Sequence, residues 1–331
     1  MTSPIAPDVN PRPLERAIEL SAPDISRYQA GNTGVDYVTR LDSGRPGPAV
    51  TVQALTHGNE ICGAIALDWL LRENFRPRSG SLTLVFANIA AYARWDPADP
   101  DRSRFVEEDY NRVWGDDALT GPRDSVELRR ARALQPVIDA TDYLLDIHSM
   151  HEPCDPIMVC GVVGKGGEKS VAYARRVGVP GHLLMDTGHP TGLRMIERGA
   201  FGDPRDSRTA ILIECGQHWE AAAADVAIDT TLRFLQLTGI AAPDFVQPRL
   251  RVTPPAHQHL ITVTEPVVAK TRNFRFAEYY RGLEVIPKAG TPIGYDGDEV
   301  IRTPYDDAVL VMPSVAQLQP GTTVVRLGRI S

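Results

Sequence analysis

The chain has 331 residues, 43% of them hydrophobic and 23% charged, which is enough to build a large core and predicts two domains. Its formal net charge of -7 excludes nucleic acid or an anionic membrane surface as its main partner. No apolar run approaches the ~20 residues needed to cross a bilayer, so no membrane partner is expected. The N-terminus lacks a basic stretch followed by an apolar one, and the four cysteines lie in or beside apolar runs. Both features predict a cytoplasmic protein with buried, reduced thiols.

The hydrophobic pattern predicts strands that alternate with helices over most of the chain. Strands are predicted at residues 35–41, 49–55, 81–88, 142–147, 157–160 and 209–215, and helices at residues 14–20, 59–72, 125–140, 168–177 and 221–237. This alternation indicates an α/β fold with a largely parallel sheet covered by helices on both faces. In such folds, ligands bind at the carboxyl ends of the strands.

The amino-acid composition of the chain changes after a predicted linker at residues 241–248. Residues 249–331 are rich in Pro, Gly, Thr and Val, and the Asp-Gly pair within residues 290–298 is a strong hairpin signal. These features predict a first domain with its N-terminal lead-in at residues 1–243, and a small all-β domain at residues 249–331. The order of hairpins in the second domain resembles the hammerhead of biotinyl and lipoyl carriers. Residues 311–314 carry no lysine to modify, so we expect a structural or channel-capping role.

The stretch Thr-His-Gly-Asn-Glu at residues 56–60 lies where a predicted strand turns into a helix. A spacing of three places His57 and Glu60 on one side of a single turn, aimed at a common point. One point shared by an imidazole and a carboxylate suggests a zinc ion. An acid at a helix start also stabilises the helix dipole, so this pair by itself does not define a metal site.

A third candidate ligand, His148, follows another predicted strand. Asp146 points to the same face of that strand and can accept a hydrogen bond from an imidazole, which fixes its tautomer. His151 is a rival ligand, but it lies three residues further on, beyond the strand. Two histidines and one glutamate leave a fourth position open for water, which is typical of catalytic zinc.

Glu214 directly follows the apolar residues 211–213 of a predicted strand. Burying an acid there is costly unless it faces a polar cavity, so we expect Glu214 to be the general base. The alternative is a structural acid that is paired with a cation.

A long polar segment at residues 89–109 leads to the pair Asn111-Arg112. Arginine and asparagine side by side can hold a carboxylate, because guanidinium binds it through two hydrogen bonds and the amide adds a directional one. Arg104, in the same segment, can stabilise a developing oxyanion. Without the other motifs, such a pair is typical of a solvated loop.

Together these motifs resemble the zinc-carboxypeptidase superfamily and, within it, the succinylglutamate desuccinylase/aspartoacylase family. The resemblance rests on residues 56–60, on Arg-Phe-Val-Glu-Glu-Asp-Tyr-Asn-Arg at residues 104–112, on Asp-Ile-His at residues 146–148 and on Glu214. It runs from about residue 30 to the end of the chain. It implies a zinc-carboxypeptidase-like mixed sheet sandwiched by helices, followed by the β domain. It also implies a zinc-dependent hydrolase that cleaves the amide bond of a small N-acyl amino acid.

The resemblance also implies a role for each candidate residue. One Zn²⁺ per chain would be bound by His57, Glu60 and His148. Glu214 would activate a water molecule and later protonate the leaving amine. Arg104 would polarise the scissile carbonyl.

The predicted substrate contacts are less complete than the hydrolytic residues. By the same resemblance, Asn111 and Arg112 would hold a substrate carboxylate. A second substrate arginine has no clean match, since Arg205 and Arg208 are both near the expected place. The chain also has Ser-Met-His after the third ligand and Cys-Gly-Gln-His after Glu214, where aspartoacylases tend to have Asn-Thr-Thr and Val-Gly-Pro-Gln. These departures leave the acyl group and the amino acid open.

Two other functions remain open at the level of the sequence. One is a metallocarboxypeptidase that trims peptides, against which the small β domain argues if it narrows the substrate channel. The other is a non-catalytic small-molecule-binding protein on a hydrolase scaffold, which would have no need of Glu214. The residues also leave open whether the chain forms a homo-oligomer.

Overall fold

The structure, a computed structural model, describes residues 17–331 and divides them into two units. The larger unit is formed by Ile18–Met150 and Pro156–Leu260, and the smaller one contains His151–Asp155 and Ile261–Ser331. The predicted helix at residues 14–20 falls partly outside the described residues, and its described part is not helical. Within residues 17–331, no helix combines the length and the apolar character needed to cross a membrane.

The larger unit alternates strands and helices. Its strands are β1 (Val38–Asp42), β2 (Ala49–Ala54), β3 (Ser81–Phe86), β4 (Tyr143–Met150), β5 (Ile157–Val162), β6 (His182–Asp186) and β7 (Thr209–Gln217). Its helices are α1 (Ile61–Arg72), α2 (Ile89–Tyr92), α3 (Asp116–Thr120), α4 (Val126–Asp139), α5 (Gly167–Val177), α6 (Ala221–Leu237) and α7 (Pro243–Val246). Short 3-10 helices lie at Ser26–Tyr28, Pro100–Ser103, Tyr110–Arg112, Met195–Glu197, Gly199–Phe201 and Gln247–Arg249.

These strands form a mixed sheet in the order β1-β3-β2-β4-β7-β5-β6. The pairs β2–β3, β2–β4, β4–β7 and β5–β6 are parallel, whereas β1–β3 and β5–β7 are antiparallel. The α/β class with a mixed sheet, expected from the sequence, is confirmed. The predicted linker at residues 241–248 is wrong in part, because α7 forms there and Val246 is buried in the core of the larger unit.

The centre of the sheet is apolar on both faces. Val52, Ile147 and Ile213, on β2, β4 and β7, are completely buried, and Leu67 of α1 and Leu232 of α6 belong to the same core. Burying each such side chain stabilises the fold by roughly 1.5–3 kcal/mol. The three strands are therefore held firmly, and so are the polar residues at their carboxyl ends.

Strand register brings particular polar residues next to one another. Gln53 on β2 is paired with Asp146 on β4, and His148 on β4 is paired with Glu214 on β7. Two predicted strands were too short, because β4 continues to Met150 and β7 to Gln217. His148 thus lies within β4 rather than after it, whereas Glu214 lies within β7, inside the strand predicted at residues 209–215.

Within the described part of the smaller unit, all regular elements are strands, as expected for a β domain. They are β8 (His259–Val268), β9 (Phe274–Phe276), β10 (Glu284–Ile286), β11 (Pro292–Asp296), β12 (Glu299–Arg302), β13 (Ala308–Val311) and β14 (Thr323–Ile330). Antiparallel pairing gives the order β8-β14-β13-β10, with a separate sheet β12-β11-β9. Phe274, Ile293 and Leu310 lie in its core. Gly297 has a φ of 61°, which glycine adopts without strain, at the hairpin turn predicted from Asp-Gly.

Candidate metal centre

The turn between β2 and α1 places His57 and Glu60 side by side. Leu55 has a φ of 61°, so the chain changes direction immediately after β2 at a cost in backbone strain. A Cβ on Gly58 would lie 2.3 Å from the Ser103 carbonyl oxygen, so only glycine fits there. The Gly58 N–H donates to the Arg104 carbonyl oxygen at 3.1 Å. This contact joins the turn to the segment that carries Arg104.

His57, Glu60 and His148 form a buried group with ligand atoms that all lie within 4.8 Å of one another. His57 Nδ1 lies 2.7 Å from Glu60 Oε1, and His148 Nδ1 lies 2.9 Å from Glu60 Oε2. Glu60 Oε2 is buried and has no well-formed hydrogen bond among the described residues. Two imidazole nitrogens and one carboxylate therefore converge without fully satisfying one another, as the ligands of a shared cation do. The donor set and this unsatisfied oxygen both fit a metal ion.

Each imidazole is held from behind by another carboxylate. His57 Nε2 lies 3.0 Å from Asp109 Oδ1, and His148 Nε2 lies 2.8 Å from Asp146 Oδ2. A proton on each Nε2 leaves each Nδ1 lone pair directed at the site. Asp109 was not singled out from the sequence. The available signal was its place two residues before Asn111, within the segment at residues 104–112.

The charges at this group favour a cation. Burial opposes ionisation of Glu60, but His57 and His148 outweigh it and hold its pKa well below the usual value. Burial also opposes ionisation of Asp109, but His57, Arg112 and Arg104 together outweigh it and hold the pKa of Asp109 well below its usual value. For His148, burial works against the charged form, while Asp146 and Glu60 raise its pKa well above the usual value. A metal ion must therefore replace a proton on His148.

Glu214 lies beside this group without a hydrogen-bonding partner for one of its oxygens. Its Oε2 atom is buried and unpaired among the described residues. Burial is the largest cause of a raised pKa for Glu214, and the charge of Glu60 acts in the same direction. The charges of His148 and Arg104 oppose them, and the net result is a pKa of about 7. A carboxyl group with such a pKa can both accept and return a proton near neutral pH.

Arg104 directs its guanidinium towards the same group. Its Nη1 lies 3.6 Å from Glu60 Oε1 and its Nη2 lies 3.4 Å from Asp109 Oδ2. The side chain is 24% exposed, so a ligand can reach it. The structure therefore brings Arg104 together with the predicted ligands.

The segment between Arg104 and Asp109 is held by Glu127 of α4. This completely buried side chain accepts hydrogen bonds from the backbone N–H groups of Val106 at 2.7 Å, Glu107 at 3.1 Å and Glu108 at 3.3 Å. Sequence reasoning missed Glu127, because nothing in its helical position indicates a contact with a distant loop.

Asn111 and Arg112 lie on the 3-10 helix that follows. Asp109 Oδ1 accepts from the Asn111 N–H at 2.8 Å, and the charge of Arg112 contributes to the lowered pKa of Asp109. The Oδ1 atom of Asn111 accepts from the N–H of Met195 at 3.4 Å, which leaves its amide nitrogen as the donor. The pair is thus attached to the same segment as Arg104.

Other candidates from the sequence do not belong to this group. The side chain of Arg205 is 88% exposed and pairs with Asp203, while Arg208 pairs with Asp206. His151, the rival ligand, has its Nδ1 atom 3.0 Å from Glu152 Oε1 and is not part of the His-Glu-His group.

The fold and the site define an α/β protein with a buried His-Glu-His centre at the carboxyl ends of its strands. The model of the succinylglutamate desuccinylase/aspartoacylase catalytic domain matches residues 46–237, which is more than half of the chain. The chain belongs to this family of deacylating hydrolases. A search among curated proteins found no match.

Solved structures show the same fold at low sequence identity. A succinylglutamate desuccinylase from Vibrio cholerae superposes with a TM-score of 0.65 at 16% identity, covering 89% of this chain and 86% of the other. A succinylglutamate desuccinylase/aspartoacylase from Rhodobacter sphaeroides gives 0.62 at 17% identity, with 89% and 88% covered. The product-bound ectoine utilization protein EutE (DoeB) from Ruegeria pomeroyi gives 0.61 at 15% identity, with 90% and 92% covered.

Proposed function

We propose that this protein is a zinc-dependent amidohydrolase with a zinc-carboxypeptidase-like fold. Its substrate is a small N-acyl amino acid, which it cleaves at the amide bond to a carboxylate and a free amino acid. The observation that carries this proposal is the convergence of His57, Glu60 and His148 beside Glu214, whose Oε2 atom is buried without a hydrogen-bonding partner among the described residues.

The two histidines and Glu60 are the residues that would hold the metal, one Zn²⁺ per chain. Two imidazoles, one carboxylate and an open fourth position are typical of catalytic zinc. When bound, zinc acidifies a water molecule and polarises a carbonyl group.

In this proposal the side chains around the metal site move the protons and stabilise the charges. Glu214 removes a proton from the attacking water and then delivers it to the leaving nitrogen, for which a pKa of about 7 is suitable. Arg104 stabilises the negative charge that develops on the carbonyl oxygen. Asp109 and Asp146 hold the two imidazoles in their ligand orientation.

The substrate contacts proposed for Asn111 and Arg112 follow from their donors. The amide nitrogen of Asn111 and the guanidinium of Arg112 can donate to one carboxylate. The related structures support a small acyl amino acid as the substrate class, since one is a succinylglutamate desuccinylase and another an ectoine utilization protein with bound product. We also propose that residues 1–243 carry the hydrolytic site and that residues 249–331 have a structural or channel-capping role.

The test is a comparison of two substrate series on metal-replete protein, with release of free amine as the readout. We expect turnover of N-acetyl or N-succinyl amino acids and little cleavage of peptides at their C-terminal residue. Preference for the peptides would identify a metallocarboxypeptidase instead. Failure to hydrolyse any member of either series, together with substoichiometric zinc, would indicate a non-catalytic binding protein.

A further inference from the structure

A chain of buried hydrogen bonds runs behind His148 and ends on Asp146. Gln53 Nε2 lies 2.9 Å from Thr56 Oγ1, and Thr56 Oγ1 lies 2.9 Å from Asp146 Oδ1. The other oxygen, Asp146 Oδ2, lies 2.8 Å from His148 Nε2. None of these four residues is more than 1% exposed. These hydrogen bonds therefore connect Gln53 to the predicted metal ligand His148 through residues that solvent does not reach.

The hydrogen-bonding capacity of each group allows only one direction along this chain. A carboxylate only accepts, so the single hydroxyl hydrogen of Thr56 must point at Asp146. The lone pair of that hydroxyl then accepts from the amide of Gln53. Asp146 Oδ2 accepts the proton on His148 Nε2, and His148 Nδ1 is left to face Glu60.

The backbone explains why these residues meet. Gln53 is paired with Asp146 in the register of β2 and β4, so their side chains share one face of the sheet. Thr56 follows Leu55, whose φ of 61° redirects the chain as it leaves β2. A regular continuation of β2 would direct the side chain of Thr56 to the face of the sheet opposite to that of Gln53.

One polar atom of this network lowers the stability of the fold. Gln53 Oε1 is buried and has no hydrogen-bonding partner among the described residues. An unpaired buried acceptor lowers stability, so an apolar side chain at this position would be favoured if stability were its only role.

We propose that Thr56 and Gln53 are positioning residues of the metal centre. They hold the Asp146 carboxylate in the orientation that fixes the tautomer and the ring plane of His148. Neither residue touches the metal or the substrate. This inference rests on the proposed metal site and adds to it the two residues that make one of its ligands rigid.

The decisive variant is Thr56→Val, which keeps the shape of the side chain and removes the hydroxyl group. We expect zinc affinity, measured by competition with a chelator, to fall about tenfold, the lower end of the effect of removing a partner of a metal ligand. Zinc release should accelerate, and the visible spectrum of the Co²⁺-substituted protein should shift. Thr56→Ser, which restores the hydroxyl group, should return both properties to wild-type values.

The same strand offers a matched control. Thr51 on β2 is 1% exposed, and its hydroxyl group bonds to that of Thr141 at 2.7 Å. Thr51→Val removes an equally buried hydroxyl group, so it should reduce stability without changing zinc affinity. Gln53→Met should also lower the zinc affinity. If Thr56→Val does not fold, the zinc affinity of Gln53→Met tests the proposal instead.

Three results would overturn the proposal. If the wild-type protein binds zinc and Thr56→Val and Gln53→Met bind it equally well, the positioning role is wrong and the proposed function stands. If Thr51→Val loses as much affinity as Thr56→Val, the effect is a general loss of stability. A wild-type protein that binds no zinc would overturn the proposed function and this inference together.

Discussion

Glu214 is a partly buried acid whose charge is disfavoured by its surroundings. Burial raises its pKa from 4.5 to about 7. Between these values the folded chain holds a proton that the unfolded chain has lost. The stabilising contribution of the protonated carboxyl group is therefore complete below about pH 4.5 and is lost as the pH rises to about 7. A pKa difference of this size corresponds to about 3 kcal/mol.

We expect Glu214→Gln to remove this pH dependence from the metal-free protein. At pH 8 the variant should unfold with a free energy about 3 kcal/mol higher than the wild type, and at pH 4.5 the two should be nearly equal. Urea unfolding at the two pH values measures the difference. Glu220→Gln, at an exposed acid on the same stretch, controls for the loss of one negative charge. If the two proteins differ equally in their free energy of unfolding at both pH values, the difference does not come from a raised pKa of Glu214.

The same substitution should separate metal binding from turnover. Glutamine cannot take a proton from water, so kcat for an N-acyl amino acid should fall by about 10²–10⁴-fold. The zinc content should not change, because Glu214 is outside the His-Glu-His group. Steady-state kinetics and metal analysis on one preparation give both numbers. Normal turnover would show that another group is the base.

The residues of the site that are close together in the sequence could be predicted. Those that reach the site through long-range contacts could not. His57 and Glu60 are three residues apart at the end of an apolar run, so their convergence follows from one turn of chain. Asp109 lies 52 residues from His57, within a segment that has no periodic pattern. Its contact depends on how that loop folds, which the sequence does not show.

The elements show the same division. Strands β2, β3 and β7 are apolar runs and were predicted to within a few residues. Strand β6 (His182–Asp186) was missed, since it is short and lies between Pro180-Gly181 and Gly188. The path of the segment at residues 93–109 could not be predicted either. It depends on Glu127 and on the tight approach of Gly58, which are single contacts without a repeating signal.

The contacts of Glu127 give a prediction at the level of this loop. Glu127→Gln retains the volume of the side chain but replaces one accepting oxygen by a donor, so at least one backbone N–H loses its acceptor. We expect a loss of about 1–3 kcal/mol in the free energy of unfolding. Because Arg104 lies at the end of the affected segment, kcat should also fall while zinc affinity changes little.

Ser125→Ala is the control for that experiment. Ser125 caps the same helix, α4, by accepting from the Leu128 N–H at 3.0 Å. Its loss should cost about 1 kcal/mol and leave the loop in place. If Ser125→Ala lowers kcat as much as Glu127→Gln does, the loop anchor has no specific role in activity.

At the scale of the whole molecule, a bound metal should stabilise the fold. Zinc that binds only the folded chain adds about 2.7 kcal/mol at a free concentration of 100 times its Kd. Thermal unfolding with and without a chelator should therefore show a higher Tm for the metal-replete protein. His148→Ala should abolish the difference, whereas His259→Ala, at an exposed position outside the group, should retain it. Equal Tm values for the wild type in both conditions would contradict the metal site.

The smaller unit includes two pieces that are far apart in the chain, His151–Asp155 and Ile261–Ser331. The N–H of Gly282 donates to the carbonyl oxygen of Pro153 at 3.1 Å across these pieces. During synthesis the first piece leaves the ribosome about a hundred residues before the second, a delay of roughly 5–20 s at ordinary elongation rates. The segment that follows the strand with His148 therefore stays without these contacts until the residues from Ile261 onwards have been made. A chain truncated after residue 260 would keep this short segment permanently without its native partners.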